Sequence, residues 1–264
     1  MIRLLSSRLY LLILVSFFTA CHHIPKISDY PIEGDLLLPH DAEKVSTDIA
    51  RKGNQIESLR MLSRCELSAD KTHFAYRYAF VVERRKGLRI EQLPLSGFYA
   101  LATLVSTDNK TTVVFPSEKQ AYIFLAGTDG LKTLLGFSLP FTEADIGIVL
   151  AGNLPERFLN QTNEYRLSKN SVAVTLRNEE LIATFSPEHQ IQEAHFFSPA
   201  DGNELIALHF EYDEERLPVL LSLYVPEYQV TLNCRALQRG TNIPIKEGVF
   251  TVNIPGGYAI RRSN

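Results

Sequence analysis

The sequence predicts an α+β protein: a large, strongly curved and mostly antiparallel sheet of about eleven or twelve strands, with three helices against its concave face. Three observations predict it. From residue 63 to the C-terminus, period-two runs alternate with turn signals, and only two short helical stretches interrupt them. Residues 71–83 put Phe74, Tyr76, Tyr78, Phe80 and Val82 on one face of a long strand. Residues 98–105 are apolar on both faces, so neither side of that strand can look onto bulk water. A flat sheet of so many strands would leave edges and apolar faces exposed, which calls for curvature.

The N-terminus has its own logic. Arg3 and Arg8 precede an apolar run, Leu9 to Phe18, that ends in Thr19-Ala20-Cys21. At about ten residues the run is half of what a helix needs to span a bilayer, and a charged start followed by small residues marks an export signal over residues 1–20. Residues 21–40 hold three prolines and no period, and read as a flexible tether. His22-His23 has no third ligand at useful spacing, so no metal site is expected.

The folded body is expected to occupy residues 41–264 as one domain. Asp41 caps a helix to about Met61, with Ala42, Val45, Ile49, Ile56 and Leu59 on its apolar stripe. The long aromatic strand turns at Gly87 and returns through Leu93 to a Pro94-Leu95-Ser96-Gly97 turn. Strands follow at about 98–105, 111–115 and 120–126. Leu131, Leu134 and Leu135 define a short helix ending at Gly136. Thr142 and Asp145 form a capping box opening a helix with Ile146, Val149 and Leu150 on one face. Strands are expected thereafter at about 171–177, 180–186, 190–197, 204–212, 217–225, 228–236, 248–254 and 257–262. Turn residues separate several of them, at Arg177-Asn178-Glu179, Ala200-Asp201-Gly202 and Pro255-Gly256-Gly257.

Composition narrows the function. At 45% hydrophobic and 22% charged residues the chain is globular material. A net charge of −3 without a basic run argues against nucleic acid as a partner. With Cys21 at the processing site, Cys65 and Cys234 remain, either bridged in an oxidising compartment or as two buried thiols. No nucleophile elbow, zinc-binding H-E-x-x-H, phosphate loop, dinucleotide fingerprint or C-x-x-C occurs, and His189, His195 and His209 have no base–nucleophile setting in sequence. No enzyme activity, cofactor or metal is therefore expected. What remains is apolar surface: a concave sheet beneath helices suits acyl chains, against the alternative of a solid core. The candidate lining is Phe74, Tyr76, Tyr78, Phe80, Leu101, Ile123, Leu134, Ile146 and Val149.

Two stretches carry a family resemblance. AYRYAFVVERRKGLRIEQLPLSGFYALATLVSTD and GTDGLKTLLGFSLPFTEADIGIVLAGNLP, with the late NIPIKEGVFTVNIPGGYAI, resemble the LolA/LolB family of outer-membrane lipoprotein localisation factors, LolB-type lipoproteins in particular. FTAC resembles the lipobox of bacterial lipoproteins, which implies that Cys21 is lipidated. The resemblance implies an incomplete barrel of about eleven strands, lidded by helices, that binds acyl chains of lipoproteins or other lipids. It implies a lipid anchor on the periplasmic face of the outer membrane, and exchange with a periplasmic lipoprotein carrier. The membrane-touching leucine of LolB-like proteins corresponds to Leu95, although Ser96 stands where that turn has glycine, and the chain has no tryptophan. The alternative of the same fold is a non-catalytic envelope assembly or scaffold lipoprotein.

Overall fold

The computed structural model describes residues 23–31, 33–97, 99–159, 163–168 and 174–262. Residues 1–20 and Cys21, on which the export signal and lipidation were placed, lie outside the described residues. Among the described residues fifteen strands form one curved, unclosed sheet, more than the eleven or twelve expected. One meander comprises β2 (Ser58–Ala69), β3 (Thr72–Glu83), β4 (Gly87–Leu93), β5 (Ala102–Thr107), β6 (Lys110–Phe115) and β7 (Gln120–Phe124). A second comprises β8 (Glu164–Leu167), β9 (Val174–Arg177), β10 (Leu181–Phe185), β11 (Ile191–Phe197), β12 (Glu204–Tyr212), β13 (Pro218–Val225) and β14 (Val230–Thr241). Two short strands, β1 (Asp35–Leu36) on β8 and β15 (Ala259–Arg262) on β7, finish the edges. Every pairing is antiparallel except β15 with β7.

The two meanders meet along β2 and β14, paired from Ala69↔Val230 to Leu59↔Thr241. A bulge between Ala236 and Gln238 leaves Leu237 outside the ladder and half exposed. Cys65 and Cys234 face each other across this seam with Cα atoms 4.0 Å apart, the close spacing of directly opposed residues, and they are bonded. Alternation fixes which face they share. Leu59, Met61 and Cys65 are buried on the concave side, while Arg60, Arg64 and Glu66 of the same strand are exposed.

The helices are α1 (Pro39–Asn54), α2 (Asp129–Leu135) and α3 (Glu143–Leu150). α1 starts with Pro39 at its first position, and Asp41 lies in the first turn and is not the cap. It ends at Asn54, seven residues short of the expected Met61. Ile56 and Leu59 fit a helical stripe, yet Ser58, Leu59 and Met61 belong to β2, where flanking strands on both sides satisfy the backbone. α2 ends as the sequence predicts at Gly136, whose φ of 86° suits glycine. The expected strand at 248–254 is irregular, with turns closed by Lys246 and Gly248 carbonyls.

Burial on both faces of β5 has an unexpected cause. Leu104 faces the concavity, but Thr103 and Val105 are buried on the convex side. The C-terminal segment lies there: Arg89, opposite Val105, donates to the carbonyls of Val249 (3.0 Å) and Thr251 (3.2 Å), and Phe250 packs against Gly87.

The N-terminal segment straps the convex face of the other meander, which corrects its reading as a flexible tether. Lys26 bridges Asn203, Glu204 donates its N–H to the Pro25 carbonyl (2.7 Å), and Ile27 donates to Gly202 (3.0 Å). Tyr30 lies 4.5 Å from the His195 ring and donates to Glu204 Oε2 (3.1 Å), while His195 Nδ1 bonds Glu204 Oε1 at 2.5 Å and Nε2 is 3.2 Å from Glu193. These contacts come from three chain segments, so local sequence did not show them.

Turns alternate between two ends of the sheet. End A carries the β2–β3, β4–β5, β6–β7, β11–β12 and β13–β14 turns; end B carries β3–β4, β5–β6, β10–β11 and β12–β13. α1 runs along end B, where Asp48 lies 3.8 Å from His189 in the β10–β11 turn.

Two outcomes follow from these linkages. Replacing both Cys65 and Cys234 by Ser opens a loop with a sequence separation of 169 residues. A loss of about 5 kcal/mol is expected from chain entropy. Urea melts with and without reductant check it; the doubly substituted chain is expected to be insensitive to reductant. The second concerns pH. Burial pushes the His195 imidazolium down, but hydrogen bonding and charge from Glu204, joined by Glu193, outweigh it, and its pKa stands above the usual value. Strap docking therefore gains stability that is full below about pH 6.5 and is lost as pH rises through the raised value. Hydrogen exchange at the Ile27 and Glu204 amides is expected to accelerate over that rise, and Glu204→Gln is expected to flatten the response.

Candidate functional site

The concave face is mostly apolar across both meanders, with Ser63, Ser106 and Thr111 as buried polar positions on it. Cross-strand register places Met61 beside Phe80, Phe80 beside Ile90, Ile90 beside Leu104 and Leu104 beside Val113. On the other side of the seam, Cys234 neighbours Leu221 and Leu208 neighbours Leu223. β3 contributes the longest track, as alternation predicts: Phe74 and Tyr76 stack at 6.4 Å, and Tyr78 and Phe80 at 6.0 Å. Burial pushes the Tyr78 hydroxyl up to about 12.

Two helices fill most of this concavity. α2 inserts Leu131 and Leu134, and α3 inserts Ile146, Val149 and Leu150. Between them and the sheet remain an inner cavity of about 80 Å³, whose lining is entirely apolar, and a larger cleft of about 560 Å³ at end B, between α3 and the β3–β4 and β5–β6 turns, lined in part by Leu59, Val82 and Leu88. The inner cavity is smaller than the roughly 150 Å³ that suffices for benzene, so it holds no acyl chain in this conformation. Beyond the helices, Phe141, Phe158 and Phe196 pack edge to face and fill the concavity toward β9–β12.

The sequence candidates divide accordingly. Tyr78, Phe80, Leu134, Ile146 and Val149 line the cavity. Tyr76 is half-buried and Phe74 is exposed, because β3 continues past the end of β4, which stops opposite Arg77. Leu101 and Ile123 do not belong to the lining. Leu101 lies where the chain enters β5, its N–H donating to the Gln92 carbonyl at 2.7 Å. Ile123 pairs with Thr112 on the face opposite Tyr122 and Val113. Both are apolar residues in apolar runs, and only register reveals the side they occupy.

α3 is set by specific contacts. Thr142 and Asp145 form the expected capping box, and Arg157 pairs with Asp145 while donating to the Pro140 carbonyl at 2.7 Å. Gly147 lets the helix touch β3: a Cβ there would stand 2.5 Å from Val82 Cγ1. Glu143 is buried, and one carboxylate oxygen accepts the Gly127 N–H at 2.7 Å; burial raises its pKa. It ties α3 to the chain entering α2.

The Pro94–Gly97 turn stands at end A with Leu95 about half exposed. Arg77, outward on β3, donates Nε to the Pro94 carbonyl (3.1 Å) and Nη2 to the Gly97 carbonyl. Gly97, with φ of 115°, supplies the left-handed residue. Sequence reasoning missed Arg77, whose only signal was its outward position on an alternating strand. Among the described residues no cluster of three or more potential metal ligands occurs, and no helix is long and apolar enough to cross a membrane.

No protein-family model matches the chain, and no curated protein sequence matches it. Solved structures do. A LolA superfamily protein from Nitrosomonas europaea superposes with a TM-score of 0.52 at 10% identity, over 80% of this chain and 97% of its own. A DUF1329 family protein from Desulfovibrio piger gives 0.56 at 7% identity, over 80% and 96%. A domain described as an outer membrane lipoprotein-sorting protein, from Vibrio parahaemolyticus, gives 0.54 at 10% identity, over 79% and 97%. With its curved unclosed sheet and three helices, this chain has the LolA/LolB-like fold.

Proposed function

We propose that this protein is a lipid-anchored envelope lipoprotein that takes acyl chains of lipoproteins, or of other lipids, into the concavity of its sheet and delivers them to the outer membrane. The observation that carries this reading is the wholly apolar inner cavity, lined by the Tyr78–Phe80 track and plugged by two helices whose side chains facing it are themselves aliphatic. α2 and α3 act as a lid. Their leucines stand in for ligand while the site is empty, and swing out when a chain enters. Cys21 carries the anchor, and Leu95 on its clamped turn touches the bilayer during delivery, in exchange with a periplasmic carrier. The export signal and the anchor rest on the sequence of residues 1–21, and the outer-membrane placement rests on the family resemblance.

A second reading has its own observation. The inner cavity beneath α2 and α3 is nearly full, at about 80 Å³ of free space, as a non-catalytic assembly lipoprotein of this fold requires. Lipid extraction separates the two. Purified protein is expected to release fatty-acyl lipid to organic solvent at close to one equivalent, detected by mass spectrometry, and to quench on adding a fluorescent fatty acid. Absence of both favours the scaffold.

Two substitutions probe the parts. Leu95→Glu is expected to leave lipid binding intact and to slow transfer of bound lipoprotein to liposomes; transfer at the wild-type rate removes Leu95 from the mechanism. Gly147→Ala is expected to push α3 off Val82, costing about 1–3 kcal/mol by overpacking and raising the on-rate of a fluorescent fatty acid. Adding Val82→Ala makes room for the new methyl and is expected to restore the on-rate toward that of the parent, measured by stopped flow.

A further inference from the structure

Exposed large apolar side chains are not scattered over this molecule. Phe74 (47% exposed), Leu95 (48%), Tyr99 (66%) and Tyr228 (50%) all lie at end A. They come from separate places: the start of β3, the two sides of the β4–β5 connection, and the β13–β14 turn. Strands β14, β2 and β3 are neighbours at that end, and β3 borders β4, so the four side chains form a rim along one stretch of sheet. Isolated exposed apolar residues need no explanation, but a contiguous rim does. Phe74 also begins the aromatic track that leads by Tyr76 to the buried Tyr78 and Phe80. The rim thus borders the open mouth of the concavity, whereas α1 runs along end B.

The strap supplies the second, independent observation. It is fixed at end A, where Lys26 bridges Asn203 and Glu204 donates to the Pro25 carbonyl. Five residues separate Cys21 from Lys26, so Cys21 stays within about 17 Å of that bridge even when the chain is fully extended. The apolar run Leu9–Phe18, or an acyl group on Cys21, is therefore delivered beside the rim and not at end B.

We propose that end A is the bilayer-facing surface of the protein, a docking rim of Phe74, Leu95, Tyr99 and Tyr228 around the mouth of the concavity, with the strap holding the body in that orientation. The occupant of this surface is the lipid interface itself. Tyr and Phe side chains suit the headgroup boundary, with an apolar body and, for Tyr, a polar tip. Arg77 holds the Pro94–Gly97 turn so that Leu95 is presented by a fixed loop. The contact is thus distributed over three connections and not carried by a single leucine. The inference rests on the membrane-anchored reading above, and it adds which face meets the membrane and which way the concavity opens.

The natural absence of tryptophan makes the test direct. Full-length protein carrying one tryptophan, as Phe74→Trp, Tyr99→Trp or Tyr228→Trp, is reconstituted in phosphatidylethanolamine–phosphatidylglycerol vesicles with and without brominated acyl chains. Leu125→Trp, exposed at end B beyond β7, is the control; strands of twelve residues separate the ends by about 40 Å. All three rim variants are expected to shift emission to the blue and lose intensity in brominated vesicles, and Leu125→Trp to do neither. Quenching at Leu125→Trp, or none at the rim sites, overturns the proposal. Quenching at Leu95→Trp alone reduces the contact to one residue and overturns the rim. A separate lipid extraction reads the function: quenching without extractable lipid sinks acyl binding and leaves the docking rim standing.

Discussion

The pairing of β2 with β14 is the constraint on which the rest of the structure depends. Each meander forms from local hairpins, but only this seam joins them into one sheet wide enough to curve round a concavity. The partners are far apart in sequence, and such long-range pairing forms only after a large loop is closed. The Cys65–Cys234 bond sits in the middle of the seam on its concave side. It covalently fixes the junction between the two meanders, which hairpin closure cannot secure. It also puts a sulfur pair, compact and apolar, in the floor of the cavity next to Tyr78 and Leu221.

A sheet joined in this way creates a second problem, because its concave face is mostly apolar across both meanders and must be kept from water. The solution is uneven. Toward β9–β12 the aromatic cluster of Phe141, Phe158 and Phe196 fills the space as ordinary core. Over β3 and β4 the filling comes from two short helices, neither longer than eight residues. Helices of that length have little stability of their own, so they persist through the side chains they bury and through caps such as Thr142–Asp145. The part of the interior that depends most on tertiary contacts is therefore the part over the aromatic track.

How much of this was legible in the sequence follows from the range of each interaction. The Thr142–Asp145 box, the Gly136 terminus and the alternation in β3 depend on neighbouring residues, and they read directly. The end of α1 did not, because Ile56 and Leu59 satisfy a helical stripe and a strand equally well, and the decision is made by pairing with β3 and β14. The assignment of Leu101 and Ile123 failed for a related reason: apolar runs do not reveal their register. The strap was misread as a tether because its partners, Asn203, Glu204 and His195, come from a hairpin far along the chain. For the candidate site, five of the nine proposed lining residues reach the cavity, and the clamp on the Leu95 turn was not visible at all.

The energetics of exchange between helix and ligand set what such a site can do. Leu131, Leu134, Leu135, Ile146, Val149 and Leu150 border the cavity. At about 1.5–3 kcal/mol for burying each side chain, uncovering them all costs roughly 9–18 kcal/mol. A saturated chain of about sixteen carbons gains roughly 13 kcal/mol on burial at about 0.8 kcal/mol per methylene. The two quantities overlap, so swapping helices for an acyl chain is close to balanced. A fully open cavity of the same lining would hold its ligand too firmly to release it, and a rigidly packed core would never admit one. Short helices with aliphatic inward faces place the site between those limits. On the proposed function, small contributions such as those of Leu95 and the exposed end of the aromatic track would then be large enough to bias the direction of transfer.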